Sequence, residues 1–324
     1  MKSSLEKKQQ LMSEFPIAHQ PIWNSPHEML FIGSCFSDEI SKLFINHFLP
    51  VTANPFGTIF SPLAIANTLS NLVNNHAISI AQHEENYHAL LFDSSFQNKD
   101  KNTLLNKIEN ASMALMNALK QSETICITLG SAWVYKHIAS NDYVGNCHKI
   151  PQKEFTKELV TVDQIKQSLI QIHQSIRQVN TDCKIIFTIS PVRHLRDGIS
   201  ENLLSKSLLV VALQEFLQQN KDALYFPSFE IFQEELKDYR FYKDDLAHPN
   251  EWAVNYIFSR LVECYGSENF MQFMDEASKL SLLILHKPKT MDELEINNFK
   301  LIKSEKVESF FSKYPTCKKP ITII

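Results

Sequence analysis

The sequence predicts an α/β fold in which helices cover both faces of a mostly parallel sheet. Five apolar runs have the length and composition of buried strands, and helical patterns separate them. Parallel strands need long right-handed crossovers, and a helix between successive strands supplies one. With 324 residues, of which 44% are hydrophobic, the chain is long enough to bury the core of one large domain.

The predicted strands are rich in β-branched and aromatic residues, and most of them are bounded by Gly or Pro. They are MLFIG (29–33), PVTANP (50–55), TICITLG (124–130), KIIFTISP (184–191) and ALYFPSFEIF (223–232). Helices are predicted over 37–48, 61–74, 101–120, 161–179 and 201–219, and Ser37 is the predicted cap of the first helix.

Three segments lie outside this alternation. We expect 76–98 and 131–160 to be insertions at the carboxyl edge of the sheet. The amphipathic run ENFMQFMDEASKLSLLILHKP predicts a helix that packs its Met, Phe and Leu face on the main domain or across a dimer interface. The predicted organisation is an N-terminal extension (1–27), a main domain (28–265) and a C-terminal helical appendage (266–324), with a homo-oligomer as one expected state.

The charge balance excludes several classes of partner. Lys and Arg total 32 against 36 Asp and Glu, so the net charge is −4, and no nucleic-acid partner is expected. No apolar stretch is long enough to span a bilayer, and the first fifteen residues lack a signal-peptide core, which predicts a cytoplasmic protein. The six cysteines lack C-x-x-C spacing, so neither a disulfide framework nor a zinc site is predicted.

The stretch MLFIGSCFSDEI (29–40) places Ser34 and Cys35 directly after the first predicted strand. Sites in open α/β sheets form beyond the carboxyl ends of the strands. Backbone N–H groups at the start of the following helix favour a developing negative charge there. These features are one half of an acyl-transfer site.

The other half is the stretch DDLAHPNEWAVNYIF (244–258). His248 precedes Pro249, whose ring disfavours helical geometry, so the histidine is predicted on the loop that enters the next helix. Asp245, three residues earlier, is placed to accept a hydrogen bond from the imidazole and to set its tautomer. Each motif alone is commonly structural, but together they predict a Ser-Asp-His triad.

FIGSCFS resembles the name-giving motif of the GSCFA-domain family, which is grouped with the SGNH (GDSL-like) hydrolases, with Ser37 in place of the final Ala. The resemblance continues through NPFGTIFSP, ITLGSAWVY, NCHKIP, SPVRHLRDG and YRFYKDDLAHPN. It implies a flavodoxin-like three-layer sandwich with a central, mostly parallel five-stranded sheet in the order 2-1-3-4-5. It also implies Ser34 as the nucleophile, with Asp245 and His248 as the rest of the triad. The strand-end placement of both motifs predicts that Ser34 lies within hydrogen-bonding reach of His248, with loose geometry when no ligand is bound.

SGNH enzymes usually build the oxyanion hole from a Gly after the second strand and the Asn of a G-x-N after the third. Gly57 in NPFGT fits the first role, and the backbone N–H of Cys35 is a further predicted donor. Gly130-Ser131-Ala132 lacks the Asn. Asn146 is the candidate replacement and Asn54 is another, although both Asn146 and Gly57 also fit ordinary loop and turn roles.

Other side chains give alternatives. Cys35 is a competing nucleophile, because a thiol at a helix N-terminus beside a histidine has a depressed pKa. The histidines of HEENYH (83–88) are five residues apart and do not share a helical face, so they do not form a zincin motif. Cys147 and His148 are conceivable metal ligands, but no spacing supports a site, and neither a metal nor a cofactor is predicted. Arg193 and Arg196 are placed to bind an anionic part of a substrate. The predicted substrate-binding residues are Asn54, Gly130, His148, Arg193 and His194.

Three functions are consistent with these residues. The first is a serine esterase that hydrolyses an O-acyl ester of a carbohydrate or another small polar alcohol. The second is an acyltransferase that uses the same triad with a bound hydroxyl as acceptor. The third is a binding module that keeps the fold without turnover, a reading that the missing G-x-N favours.

Overall fold

The computed structural model describes residues 13–286, 288 and 292–320. In chain order, the strands and α-helices of these residues are β1 (Met29–Gly33), α1 (Cys35–Asn46), β2 (Val51–Ala53), α2 (Pro62–Val73), β3 (Ala81–His83), β4 (Asn86–His88), β5 (Gln97–Asn98), α3 (Lys101–Gln121), β6 (Thr124–Leu129), β7 (Trp133–His137), β8 (Tyr143–Val144), β9 (Phe155–Leu159), α4 (Val162–Val179), β10 (Lys184–Ile189), α5 (Ile199–Gln219), β11 (Ala223–Phe226), α6 (Ser228–Glu234), α7 (Glu251–Tyr265), α8 (Glu268–Leu285) and α9 (Glu293–Lys313).

The central sheet has five parallel strands in the order β11-β10-β6-β1-β2. Numbered within the sheet, this is the predicted order 2-1-3-4-5, so the predicted α/β fold is confirmed. The strand order reverses direction at β1, which pairs with β2 on one side and β6 on the other. The crevice beyond the carboxyl ends of β1 and β6 is therefore where this architecture places a ligand.

Side chains of β1 alternate between two cores, one on each face of the sheet. Leu30 and Ile32 pack in a core with residues of α2, α3, α4 and α5. Met29 and Phe31 pack in a second core with residues of α1, α7, α8 and α9. Because both faces are covered, the strand is an unbroken apolar run, with every one of its residues buried.

Two local predictions are wrong. The first helix begins at Cys35, with Ser34 as its N-cap residue, so Ser37 is not the cap but a buried residue of the first turn whose N–H donates to Ser34 O. The run 223–232 is a strand only as far as Phe226. Pro227, which has no N–H for the ladder, ends the strand, and α6 follows.

Both predicted insertions form small antiparallel sheets. Strands β3, β4 and β5 lie within 76–98, and β7 pairs with β8 and β9 within 131–160. The two insertions contact each other, because the N–H of Gly145 donates to Leu90 O at 2.8 Å. Strands of two to five residues leave little periodic signal, which is why the sequence indicated only polar insertions.

The predicted amphipathic helix of the appendage is α8, and it packs on the body of the same chain. Its buried side chains are Phe270, Phe273, Met274, Ala277 and Leu280. The Phe270 ring lies 5.4 Å from the ring of Trp23, which is itself fully buried. Among the described residues, no helix combines the length and apolar character needed to cross a membrane.

Candidate active site

Gly33 ends β1 in a turn that no other residue fits. Its φ is 147°, and a Cβ at this position would lie 2.2 Å from the carbonyl oxygen of Thr128. The close approach allows the next N–H, that of Ser34, to donate to the same oxygen at 3.2 Å. Ser34 is thereby held where β1 and β6 end, as the sequence predicted.

The Ser34 side chain is 3% exposed, and its Oγ has no hydrogen-bond partner among the described residues. It occupies the N-cap position of α1 without accepting the capping bond that serine usually makes there. No hydrogen bond joins it to His248 in this unliganded structure, so the reach between the two side chains stays a prediction. The serine is buried, whereas the imidazole stands on a loop with its side chain 40% exposed.

Asp245 and His248 form the predicted carboxylate–imidazole pair. Oδ2 of Asp245 lies 2.6 Å from Nδ1 of His248, and Oδ1 accepts the backbone N–H groups of Ala247 and His248 at 2.9 and 3.0 Å. These backbone bonds, with the imidazole, lower the pKa of Asp245 to about 2. The carboxylate is therefore ionised at neutral pH and favours the tautomer with a proton on Nδ1, which leaves Nε2 as the basic nitrogen.

Two contacts hold this loop at the carboxyl edge of the sheet. The Lys243 ammonium lies 3.8 Å from the Glu39 carboxylate of α1. The N–H of Arg193, which follows β10, donates to Ala247 O at 3.0 Å. The histidine loop is thus tied to the helix that Ser34 begins and to the end of a central strand.

Arg193 contacts aromatic rings of the protein itself. Its guanidinium lies 4.2 Å from the ring centre of Tyr242 and 5.9 Å from that of Tyr239. Together with the backbone bond to Ala247, this stacking indicates that Arg193 positions the loop of His248. Its predicted contact with substrate is not supported by this arrangement. Arg196 is exposed, on the short helix Leu195–Asp197.

The thiol of Cys35 does not have the depressed pKa that a cysteine nucleophile needs. Burial and the nearby Asp38 carboxylate raise its pKa, while the backbone N–H groups of Cys35 and Phe36 act in the opposite direction. The start of α1 therefore favours negative charge at this point, but burial outweighs the effect for the thiol. This finding counts against Cys35 as the nucleophile.

Asn54 and Gly57 are engaged in the turn after β2. The Asn54 side chain accepts the N–H of Gly33 at 2.8 Å and donates to Asp38 at 2.7 Å. The N–H of Gly57 donates to Asn54 O at 2.8 Å, and a Cβ at Gly57 would lie 2.2 Å from Cβ of Asp93. Gly57 thus supplies close packing and a φ of 72°. Its predicted oxyanion N–H is occupied, and the predicted substrate contact of Asn54 is occupied as well.

Asn146 and His148 lie where the two insertions meet. Oδ1 of Asn146 accepts the N–H of His148 at 2.8 Å, which leaves its Nδ2 for another acceptor. His148 is 2% exposed, and its Nε2 lies 3.1 Å from Phe92 O. Its ring packs edge-on against that of His88, and burial lowers the pKa of His148 to about 4. His148 therefore joins the insertions as a neutral imidazole, which counts against its predicted contact with substrate.

Gly130 and His194 both contact Phe60, and Gly130 also contacts a residue that the sequence analysis missed. Gly130 donates its N–H to Phe60 O at 2.8 Å, and the His194 ring packs 5.0 Å from that of Phe60. The carbonyl of Gly130 accepts a hydrogen bond from the Lys206 ammonium at 2.6 Å. Lys206 shares the buried face of α5 with Leu209 and Leu213, so its helical spacing was the signal that could have found it.

A groove of about 640 Å³ runs beside the site between α1, α7 and α8, with Glu39 and Lys243 on its rim. Neither Ser34 nor His248 lines it. Within the part of the chain that the structure describes, no three His, Cys, Asp or Glu side chains are grouped to hold a metal ion.

The sequence profile of the GSCFA family matches residues 28–261, which is most of the chain. The chain belongs to the GSCFA family. The resemblance seen in FIGSCFS and the motifs after it is thereby confirmed. No curated protein matches this GSCFA chain significantly.

Several solved structures are similar to this GSCFA protein at low identity. An acetyl esterase mutant with an acetate ion and a carbohydrate esterase family 3 protein from Talaromyces cellulolyticus are each 8% identical, with a TM-score of 0.35, over 77% of this chain and 99% of theirs. An acetyl xylan esterase from the rumen bacterium Butyrivibrio proteoclasticus is 9% identical, with a TM-score of 0.39, over 78% of this chain and 64% of its own.

Proposed function

We propose that this GSCFA protein is an SGNH-type serine esterase in which Ser34, Asp245 and His248 form the catalytic triad. The observation that carries the proposal is the pairing of Asp245 with His248 at 2.6 Å on a loop tied to α1, the helix that Ser34 begins. A charged carboxylate that orients an imidazole is the arrangement a general base needs. A buried serine at the end of β1, whose Oγ has no hydrogen-bond partner among the described residues, is the matching nucleophile.

In the proposed reaction, the Ser34 hydroxyl attacks the ester carbonyl while Nε2 of His248 removes its proton. The imidazolium, stabilised by Asp245, then protonates the leaving alcohol, and an acyl-serine remains. Water attacks this second ester with His248 again as base, which releases the acid and restores the serine. Because the unliganded serine and histidine are not hydrogen-bonded, substrate binding must bring them together, as occurs in other enzymes whose catalytic contacts tighten in the complex.

The oxyanion is assigned to the N-terminal end of α1. The N–H of Cys35, the first residue of the helix, is the main donor, and the pKa effects on its thiol support a field that favours negative charge. Nδ2 of Asn146, which is not part of the bond that Oδ1 accepts from His148, is the proposed side-chain donor in place of the missing G-x-N amide. Gly57 is not assigned to the oxyanion hole, because its N–H is already bonded to Asn54 O.

The proposed substrate is an O-acyl ester of a carbohydrate or another small polar alcohol. Transfer of the acyl group to a second alcohol would use the same serine and histidine, with the acceptor hydroxyl in place of water. The two structured insertions beside the site are the surfaces that would hold such an acceptor. Hydrolysis is the simpler assignment, and transfer is one outcome of the experiment below.

The test combines an active-site probe with turnover. Purified protein is incubated with a fluorophosphonate, and hydrolysis of short-chain acyl esters is measured with and without added sugars. We expect labelling of Ser34 and hydrolysis in the wild type, and neither in Ser34→Ala. Transfer to sugar with little hydrolysis would establish the acyltransferase instead.

One observation favours a non-catalytic binding module, namely that Ser34 is buried and not bonded to His248. A binding module would show neither labelling nor turnover, yet would bind acylated sugars in calorimetry. Binding that persists in Ser34→Ala, together with an unlabelled wild type, would overturn the esterase.

A further inference from the structure

Lys206 is a buried cation beside the proposed site. Its side chain is 1% exposed, and Nζ donates to Gly130 O at 2.6 Å and to Ser190 O at 2.7 Å. Lys206 takes part in no ion pair within the described part of the chain. Two carbonyl oxygens compensate only partly for the loss of hydration of an ammonium, so the fold bears a cost to keep it there.

The two carbonyls connect Lys206 to the nucleophile. Gly130 follows β6, and Ser190 follows β10, the next strand of the sheet. Two residues before Gly130, Thr128 accepts the N–H of Ser34. The ammonium therefore lies behind the strand ends that support the Ser34 turn.

The groups facing Lys206 come from several elements. Cys35 of α1 is the titratable group whose charge acts on it, and the Phe229 ring of α6 lies 5.9 Å away. The hydrogen bonds of its ammonium go to the backbone carbonyls of Gly130 and Ser190. Because the site excludes water, a charge here acts on the start of α1 with little screening.

We propose that Lys206 is a positioning residue of the Ser34 site, whose buried ammonium holds the ends of β6 and β10 together and stabilises negative charge on the reacting carbonyl oxygen. The proposal rests on the esterase function above. It assigns to Lys206 part of the charge stabilisation that the missing G-x-N amide would provide.

The ionisation of Lys206 gives the proposal a pH signature. Burial lowers the pKa of Lys206 to about 7. The required cation is therefore lost as the pH rises through about 7. The expected profile of kcat/KM therefore has an alkaline limb that reports the loss of the Lys206 proton.

The kinetic test compares three variants with the wild type. Lys206→Gln removes the charge but keeps N–H donors, and Lys206→Met removes both. Ser205→Ala is the matched control. The Ser205 hydroxyl lies next to Lys206 in sequence, carries no charge, and accepts the N–H of Ala132 in the loop after β6 at 2.8 Å. We expect both Lys206 variants to lose kcat by about 10- to 100-fold at pH 6 with little change in KM, and to lose the alkaline limb.

Ser205→Ala should keep the shape of the wild-type pH profile, even if its kcat is lower at every pH. A Lys206→Gln enzyme with the wild-type kcat, or with the alkaline limb intact, would overturn the proposal. If Lys206→Met does not fold, Lys206→Gln alone decides.

A second measurement does not depend on turnover. The unfolded chain keeps the lysine proton up to about pH 10.5 and the folded chain only up to about 7, so between these values the unfolded state binds more protons. The free energy of unfolding of the wild type, minus that of Lys206→Gln, should therefore rise with pH across this window and stay constant below it. If the difference in unfolding free energy does not change with pH, Lys206 does not have the lowered pKa of a buried cation. An inactive, unlabelled wild type that still shows the rise would refute the esterase but not the buried cation.

Discussion

Nδ1 of His248 lies 2.6 Å from Oδ2 of Asp245, and the same carboxylate accepts the backbone N–H of His248. A single turn of chain thus sets both the tautomer and the orientation of the ring. The arrangement is local, since the two residues are only three positions apart, and it leaves Nε2 as the nitrogen that reacts.

Ser34→Ala and His248→Ala should each lower kcat/KM for a short-chain ester by about three to four orders of magnitude. Each removes one partner of the same proton transfer, so the double variant should be scarcely slower than either single one. Initial rates of the wild type, the two single variants and the double variant form a double-mutant cycle. Losses that multiply in the double variant would show that the two residues act separately.

Cys35→Ala should keep most of the activity, within about tenfold of the wild type. The substitution removes a thiol whose pKa burial raises, while the proposed oxyanion donor, the backbone N–H, remains. Iodoacetamide should likewise inhibit slowly at neutral pH. An inactive Cys35→Ala beside an active Ser34→Ala would make this a cysteine enzyme.

Asp245→Asn should lower kcat/KM by about 10²- to 10⁴-fold, because the amide no longer favours the proton on Nδ1. In the wild type, the carboxylate stays ionised down to about pH 2, so Asp245 should add no protonation to the acid limb of activity above that pH. The stabilisation that Asp245 gives the fold is complete above its ordinary pKa of 3.8 and is lost as the pH falls from there toward about 2. Steady-state rates across pH test the first point. An acid limb that fits only two cooperative protonations would contradict it.

Phe273→Ala should destabilise the protein by about 3–5 kcal/mol, because it leaves a cavity where α8 packs on the main core. Leu285→Ala is the control on the same helix, since its side chain is 74% exposed and should cost less than about 0.5 kcal/mol. Urea unfolding measures both. Equal midpoints for Phe273→Ala and the wild type would show that α8 does not contribute to the core.

Sequence periodicity was sufficient for the sheet because buried strands and amphipathic helices are local patterns. The runs around 124–130 and 184–191 became β6 and β10, and the predicted helix 161–179 became α4, capped by Thr161 and Gln164. The pairing of Asp245 with His248 was predictable for the same reason. Family motifs then supplied the strand order, which no local pattern contains.

What the sequence alone determined is therefore the order of elements, the serine at the end of β1 and the carboxylate three residues before the histidine. The tertiary structure decided which polar groups are already occupied. Gly57 and Asn54 are bonded within their own turn, and Lys206 reaches Gly130 across 76 residues of sequence. Such contacts depend on how distant segments pack, and a hydrogen-bond donor is available to a substrate only if no nearer acceptor has claimed it. That competition takes place in the folded chain, where burial also sets the pKa values of Cys35 and Lys206.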